Sequence, residues 1–208
     1  MDFKRFLKKI WNFIWHDNSI WSWLVNFVLA FLIIKFIVYP GLGFLLGTQA
    51  PIVAVVSGSM EHQNSFNDWW FKESCCDESC SLSAIQSVFY QKLNISFDQF
   101  KEFSFKNGFN KGDIMFLVGP KKVKIGDVIV YSAGIKHDPI IHRVVDIKIK
   151  DNKRFFTTKG DRNCGIADFE TDINEDKVIG KAVFRVPWLG WVKIIFVEVV
   201  NFFVQLVR

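Results

Sequence analysis

Residues 140–149 read Ile-Ile-His-Arg-Val-Val-Asp-Ile-Lys-Ile. Six of these ten positions carry β-branched side chains, which pack on a pleated strand better than against a helical turn. Similar short runs recur at Ile52–Val56, Ile114–Val118, Val128–Tyr131, Phe155–Lys159 and Val178–Val186. The dipeptides Gly112-Asp113, Gly126-Asp127, Asp151-Asn152 and Gly160-Asp161 stand among them as turn signals. The regular strand–helix alternation of a parallel sheet is absent, so the chain is expected to be mainly β, with an antiparallel domain over 40–185.

Residues 61–110 break this pattern. Ile85, Val88, Phe89 and Leu93 are spaced for one face of a helix, and Ser96 with Gln99 three later reads as a capping box opening a second short helix with Phe100 and Phe103. A helical insertion hanging off the β domain is the expectation. It holds Cys75, Cys76 and Cys80, while Cys164 lies elsewhere. Four cysteines allow three pairings, among which the sequence does not choose. The Cys-Cys-x-x-x-Cys spacing lacks the paired knuckles of a zinc site. Asn94-Ile95-Ser96 is the single glycosylation sequon.

The two ends have a different character. Ser19–Tyr39 (SIWSWLVNFVLAFLIIKFIVY) carries one charge, Lys35, and is long enough to cross about 30 Å of hydrocarbon as a helix, with Pro40 and Gly41 expected to stop it. Trp21, Trp23 and Tyr39 lie towards its ends, where amphipathic rings favour the interface. The basic tail before it, residues 1–18 with Lys4, Arg5, Lys8 and Lys9, argues for a cytoplasmic N-terminus and an extracytoplasmic β domain. Residues 186–208 form a second apolar segment in which Glu198, Asn201 and Gln205 share a stripe, suiting either a transmembrane or an interfacial helix.

Composition narrows the function classes. Half of the 208 residues are hydrophobic and 16% are aromatic, which excludes a disordered or collagen-like chain. The net charge of +5 comes with no run of Lys and Arg interleaved with aromatics, so no nucleic-acid partner is expected. His16 falls on the cytoplasmic side of the span, and His137 and His142 do not form a helical metal pair, so neither metal nor cofactor is expected.

The chemistry-bearing residues lie at the strand ends. Val55-Val56-Ser57-Gly58-Ser59-Met60 runs an apolar strand into small residues and a hydroxyl; taken alone, Ser-Gly-Ser is a common turn. His142 is a lone imidazole in a hydrophobic strand, and Thr157-Thr158-Lys159-Gly160-Asp161-Arg162-Asn163 follows it. Ser, His and Asp in this order supply a nucleophile, a base and an orienting carboxylate.

With these motifs, and with Ile179–Pro187 and Leu189-Gly190-Trp191 in the tail, the chain resembles the type I signal peptidases of the archaeal and endoplasmic-reticulum branch. The resemblance covers almost everything outside 61–110. It implies a signal-peptidase-like β fold and a membrane-bound serine endopeptidase of the plasma membrane, or of the endoplasmic-reticulum membrane in a eukaryote. Such an enzyme removes signal peptides from secretory preproteins beside the lipid bilayer, with secretion machinery as a further contact. By the same resemblance Ser59 is the nucleophile, His142 the general base where bacterial relatives carry Lys, and Ser57 joins the Ser59 N–H in holding the oxyanion. Either Asp161 or Asp168 orients His142: the family's second acid falls six residues after the first, and here that position is Ala167. His62 stands where the family usually has Pro. His62 and His137 are the alternative bases. Two other readings share the scaffold: an anchored binding or assembly protein using 61–110, and a membrane serine protease with another substrate.

Overall fold

The computed structural model describes residues 3–77, 79–134 and 139–206, without the side chains of Phe203 and Leu206. It divides into two compact units, residues 1–45 and 46–208.

The first unit is helical. Helix α1 (Phe3–Trp15) precedes α2 (Ile20–Ile33), a π-helical turn (Ile34–Val38) and α3 (Tyr39–Leu46). The last three form one continuous helix of 27 residues, Ile20–Leu46, which is about 40 Å long and apolar enough to cross a membrane. Ser19 caps it, its side chain accepting from the Ser22 N–H. The helix does not stop at Pro40 as the sequence suggests. Within the π turn the Tyr39 N–H reaches back to the Ile34 carbonyl. Pro40 then falls in the first turn after it, the part of a helix that tolerates a residue without an N–H.

In the second unit the chain runs through β1 (Ile52–Ala54), α4 (Phe66–Phe71), β2 (Ser74–Cys75), β3 (Ser83–Ala84), α5 (Gln86–Lys92), α6 (Phe97–Lys101), β4 (Ile114–Val118), β5 (Val128–Tyr131), β6 (Ile140–Lys150), β7 (Lys153–Lys159), β8 (Ile173–Asn174), β9 (Val178–Val186) and α7 (Trp191–Leu206). Seven strands form one sheet in the order β1-β4-β9-β5-β6-β7-β8, every pair antiparallel. Asp151 and Asn152, both at positive φ, make the two-residue turn from β6 to β7, with Lys150 opposite Lys153. Gly126 enters β5 at φ +91°, where an added Cβ would also strike the Phe103 ring.

β6 is covered on both faces, which is why it reads as an unbroken apolar run. Ile141 packs with Val55, Met60, Met115, Leu117, Val128 and Val130. Val144 packs with Ile129, Tyr131, Phe156 and Ile173. Val145 packs under the insertion, against Trp69, Trp70, Tyr90, Ile95 and Phe100.

The insertion is therefore part of the core, not an appendage. Its capping box forms as expected from Ser96 and Gln99. The face that α5 buries differs from the apolar one: Gln86, Ser87 and Tyr90 are inside, while Ile85 and Val88 stay exposed. Polar groups win here because they meet a buried charge cluster beneath them. Cys75 pairs with Cys80 inside the insertion, and Cys76 pairs with Cys164 in the loop after β7.

Candidate active site

The residues that matter converge where β1 leaves the sheet. The Val55 N–H donates to the Asp113 carbonyl, and the Gly112 N–H donates to the Val55 carbonyl, each at 2.8 Å. Beyond Val55 the chain turns, closed by the Glu61 N–H on the Gly58 carbonyl at 3.1 Å. The carbonyl of Ser59 accepts the Arg162 N–H at 2.9 Å, and that of Met60 accepts the Phe109 N–H at 3.0 Å. Met60 itself is fully buried, so the turn is pinned on either side of the Ser59 side chain. Gly160 is required by proximity: a Cβ there would sit 2.6 Å from Asn163 Nδ2 and 2.9 Å from the Ser59 carbonyl oxygen.

His142 sits on β6 opposite Ile129 of β5. Its Nε2 lies 2.9 Å from Ser59 Oγ, and Ser57 Oγ lies 3.2 Å from the same hydroxyl. Behind the ring, Nδ1 is 2.5 Å from Glu170 Oε1, a charge contact that falls short of hydrogen-bond geometry. A carboxylate there favours the tautomer protonated at Nδ1, which leaves the Nε2 lone pair facing the serine hydroxyl. Glu170 is fully buried and held by backbone: Oε2 accepts the Ala167 N–H at 2.7 Å and Oε1 the Gly160 N–H at 3.3 Å. Ser57, Ser59 and His142 open into a cavity of about 350 Å³ that is also walled by Val56, Ile140 and Phe169. A larger groove of about 800 Å³ between the insertion and β6 contains neither Ser59 nor His142.

The two acids expected at His142 are elsewhere. Asp161 is fully buried and faces Arg143: Nε donates to Oδ1 at 2.9 Å and Nη2 to Oδ2 at 2.7 Å. The Tyr90 hydroxyl donates to Oδ1 and His62 Nε2 bonds Oδ2, each at 2.9 Å. Although burial opposes the charge, the guanidinium and these bonds hold the Asp161 carboxyl well below the usual carboxylate range. Asp168 is exposed at the start of a short 3₁₀ turn, Asp168–Glu170, in which its carbonyl accepts the Thr171 hydroxyl. The turn carries the chain inward, and Glu170, two residues later, delivers the carboxylate. His62 reaches Asp161 instead of Ser59, stacked on Trp69 with ring centroids 3.5 Å apart, and burial lowers its pKa. His137 lies outside the described residues.

Three further residues of this cluster escape a sequence reading. Arg143 also donates to the Ser104, Phe105 and Gly126 carbonyls and lies over the Phe100 ring. Lys159 is fully buried, donating to Gln86 Oε1 at 2.8 Å and to the Gly160 carbonyl at 3.0 Å. Burial pushes its ammonium down to about 7. Tyr90 comes from the insertion. The charged residues inside the apolar runs of β6 and β7 were the available signal, since an unpartnered charge has no place there.

No protein-family model matches the chain. Among curated proteins it is similar to the signal peptidase complex catalytic subunit SEC11 of Scheffersomyces stipitis, 26% identical over 175 residues covering 80% of this chain and 78% of that one. To the corresponding sec11 of Schizosaccharomyces pombe it is 30% identical over 162 residues, 75% of this chain and 72% of the other. To SEC11C of Canis lupus familiaris it is 26% identical over 166 residues, 76% and 63%. The chain is thus a peptidase, a hydrolase on an antiparallel β scaffold with an apolar N-terminal helix. It belongs to the family of signal peptidase complex catalytic subunits, the endoplasmic-reticulum branch of the type I signal peptidases.

Proposed function

We propose that this protein removes signal peptides from secretory preproteins at the endoplasmic-reticulum membrane, as the catalytic member of a membrane complex. Ser59 is the nucleophile and His142 the general base. The imidazole takes the Ser59 proton as Oγ attacks the scissile carbonyl, then returns it to the leaving amine; water repeats the sequence on the acyl-enzyme. Glu170 orients the ring and stabilises its charged form. The Ser59 N–H and the Ser57 hydroxyl hold the oxyanion, and losing one such donor costs roughly 10²–10³-fold in kcat. The observation that carries this reading is the 2.9 Å contact between His142 Nε2 and Ser59 Oγ with a buried carboxylate behind Nδ1.

The 27-residue helix would anchor the catalytic unit next to emerging signal segments, with residues 1–18 on the cytoplasmic side and the β domain in the lumen. Helix α7 (Trp191–Leu206) would meet the same bilayer, as a crossing or an interfacial helix.

The test uses the full-length protein with its membrane partners, a preprotein substrate and sequencing of the product's new N-terminus. Ser59→Ala and His142→Ala should each lower cleavage by roughly 10³-fold or more with membrane insertion intact. Undiminished cleavage by Ser59→Ala would sink the assignment. A cut outside the signal segment would redirect it to another substrate.

A further inference from the structure

We infer that α1 is an anionic-lipid-binding helix that lies in the headgroup zone of the cytoplasmic leaflet. The inference rests on the membrane anchor and not on the peptidase chemistry.

Helix α1 has the sequence FKRFLKKIWNFIW and buries no residue in the protein. At 100° per residue Phe3, Phe6, Leu7, Ile10, Trp11, Phe13 and Ile14 fall within an arc of about 160°, and Lys4, Lys8, Asn12, Arg5 and Lys9 lie on the opposite side together with Trp15, the last residue of the helix. No acidic residue occurs in the helix. An exposed apolar stripe backed by four cations is complementary to an anionic bilayer surface, where rings and aliphatic chains sink about 5–10 Å and the charges stay among headgroups.

A second observation fixes where the helix sits. Ser22 and Asn26 are polar residues inside the apolar span, and both turn to α1: Ser22 Oγ donates to the Phe13 carbonyl at 2.6 Å, and Asn26 Nδ2 donates to the Ile14 carbonyl at 2.9 Å. These are last-turn carbonyls, which lack partners within the helix. In a single straight helix residues 14 and 26 would be about 18 Å apart, so the chain folds back between the two helices. The contact at Asn26 is about 9 Å along the span from Ile20, the depth an interfacial helix reaches. Four cations prevent α1 from following α2 deeper.

A nitroxide placed at Leu7→Cys or Lys8→Cys of the full-length protein in vesicles reports burial by its accessibility to oxygen against a water-soluble relaxation agent. In phosphatidylcholine mixed with phosphatidylserine, the Leu7 label should be lipid-embedded and the Lys8 label wet. Changing Lys4, Arg5, Lys8 and Lys9 together to Glu, with the Leu7 label kept, should lower the docked-to-undocked ratio by about 10³-fold or more. Peptidase activity in detergent should be unchanged, which separates this test from that of the active site. A Leu7 label that stays wet in this mixture overturns the inference. So does equal embedding in pure phosphatidylcholine, which would mean no headgroup selectivity. Protection that appears only when partner subunits are added would assign the stripe to a protein instead.

Discussion

Two neighbours on β6 meet two carboxylates in opposite settings. His142 meets Glu170, which also accepts from two backbone N–H groups, and it opens to a cavity through Ser59. Arg143 meets Asp161 in a sealed cluster where Arg, Tyr90 and His62 occupy both oxygens. A carboxylate so fully engaged has no lone pair left to orient a base. In the proposed mechanism the acid behind the base is therefore told apart by what else it holds, and the buried ion pair beside it is architecture. Asp161 ties the insertion, the strand and the turn that carries Ser59 together, since His62 lies three residues beyond Ser59.

The sharpest way to break this contrast is at Glu170. Glu170→Ala should lower kcat by roughly 10²–10⁴-fold with a much smaller effect on KM, because orientation of the base is lost and the substrate pocket is kept. Asp161→Asn should act on stability first. Leaving Arg143 buried beside a neutral amide should cost about 3–5 kcal/mol in denaturant unfolding. Activity per folded molecule should fall less than in Glu170→Ala, and the reverse order would mean the two acids have been assigned the wrong way round.

His62 gives a smaller, pH-dependent signal. Burial lowers its folded-state pKa, so as pH drops through about 6.5 the unfolded chain takes up the proton before the folded one does. Its effect is to make stability fall with falling pH, from about 6.5 down to the lowered folded value. His62→Gln keeps a donor towards Asp161 and should flatten that part of the Tm-against-pH curve. Asp168→Asn should do least, shifting stability by no more than about 0.5 kcal/mol and leaving turnover unaltered, as expected for an exposed side chain.

Much of this arrangement was legible beforehand. β-Branched runs and turn dipeptides located the main strands of the sheet, and Ser59, His142 and Ser57 were found from their motifs and now lie together. The carboxylate beside His142 was not legible, because spacing along the chain says nothing about which side chain a 3₁₀ turn directs inward. Asp168 fitted the count better than Glu170 and points away. The role of 61–110 was hidden for a related reason. Its contacts to Asp161 and Lys159 bridge more than seventy residues, and the side chains that α5 buries are polar ones that a search for apolar periodicity discards.

The Cys76–Cys164 bond closes a loop across 88 residues and fastens the insertion to the segment that carries Glu170. Cross-links of this kind form only under oxidising conditions. With the β domain in the lumen, as proposed, each newly made copy would be oxidised where it goes on to act, and a reducing bacterial cytosol is the wrong place to manufacture it.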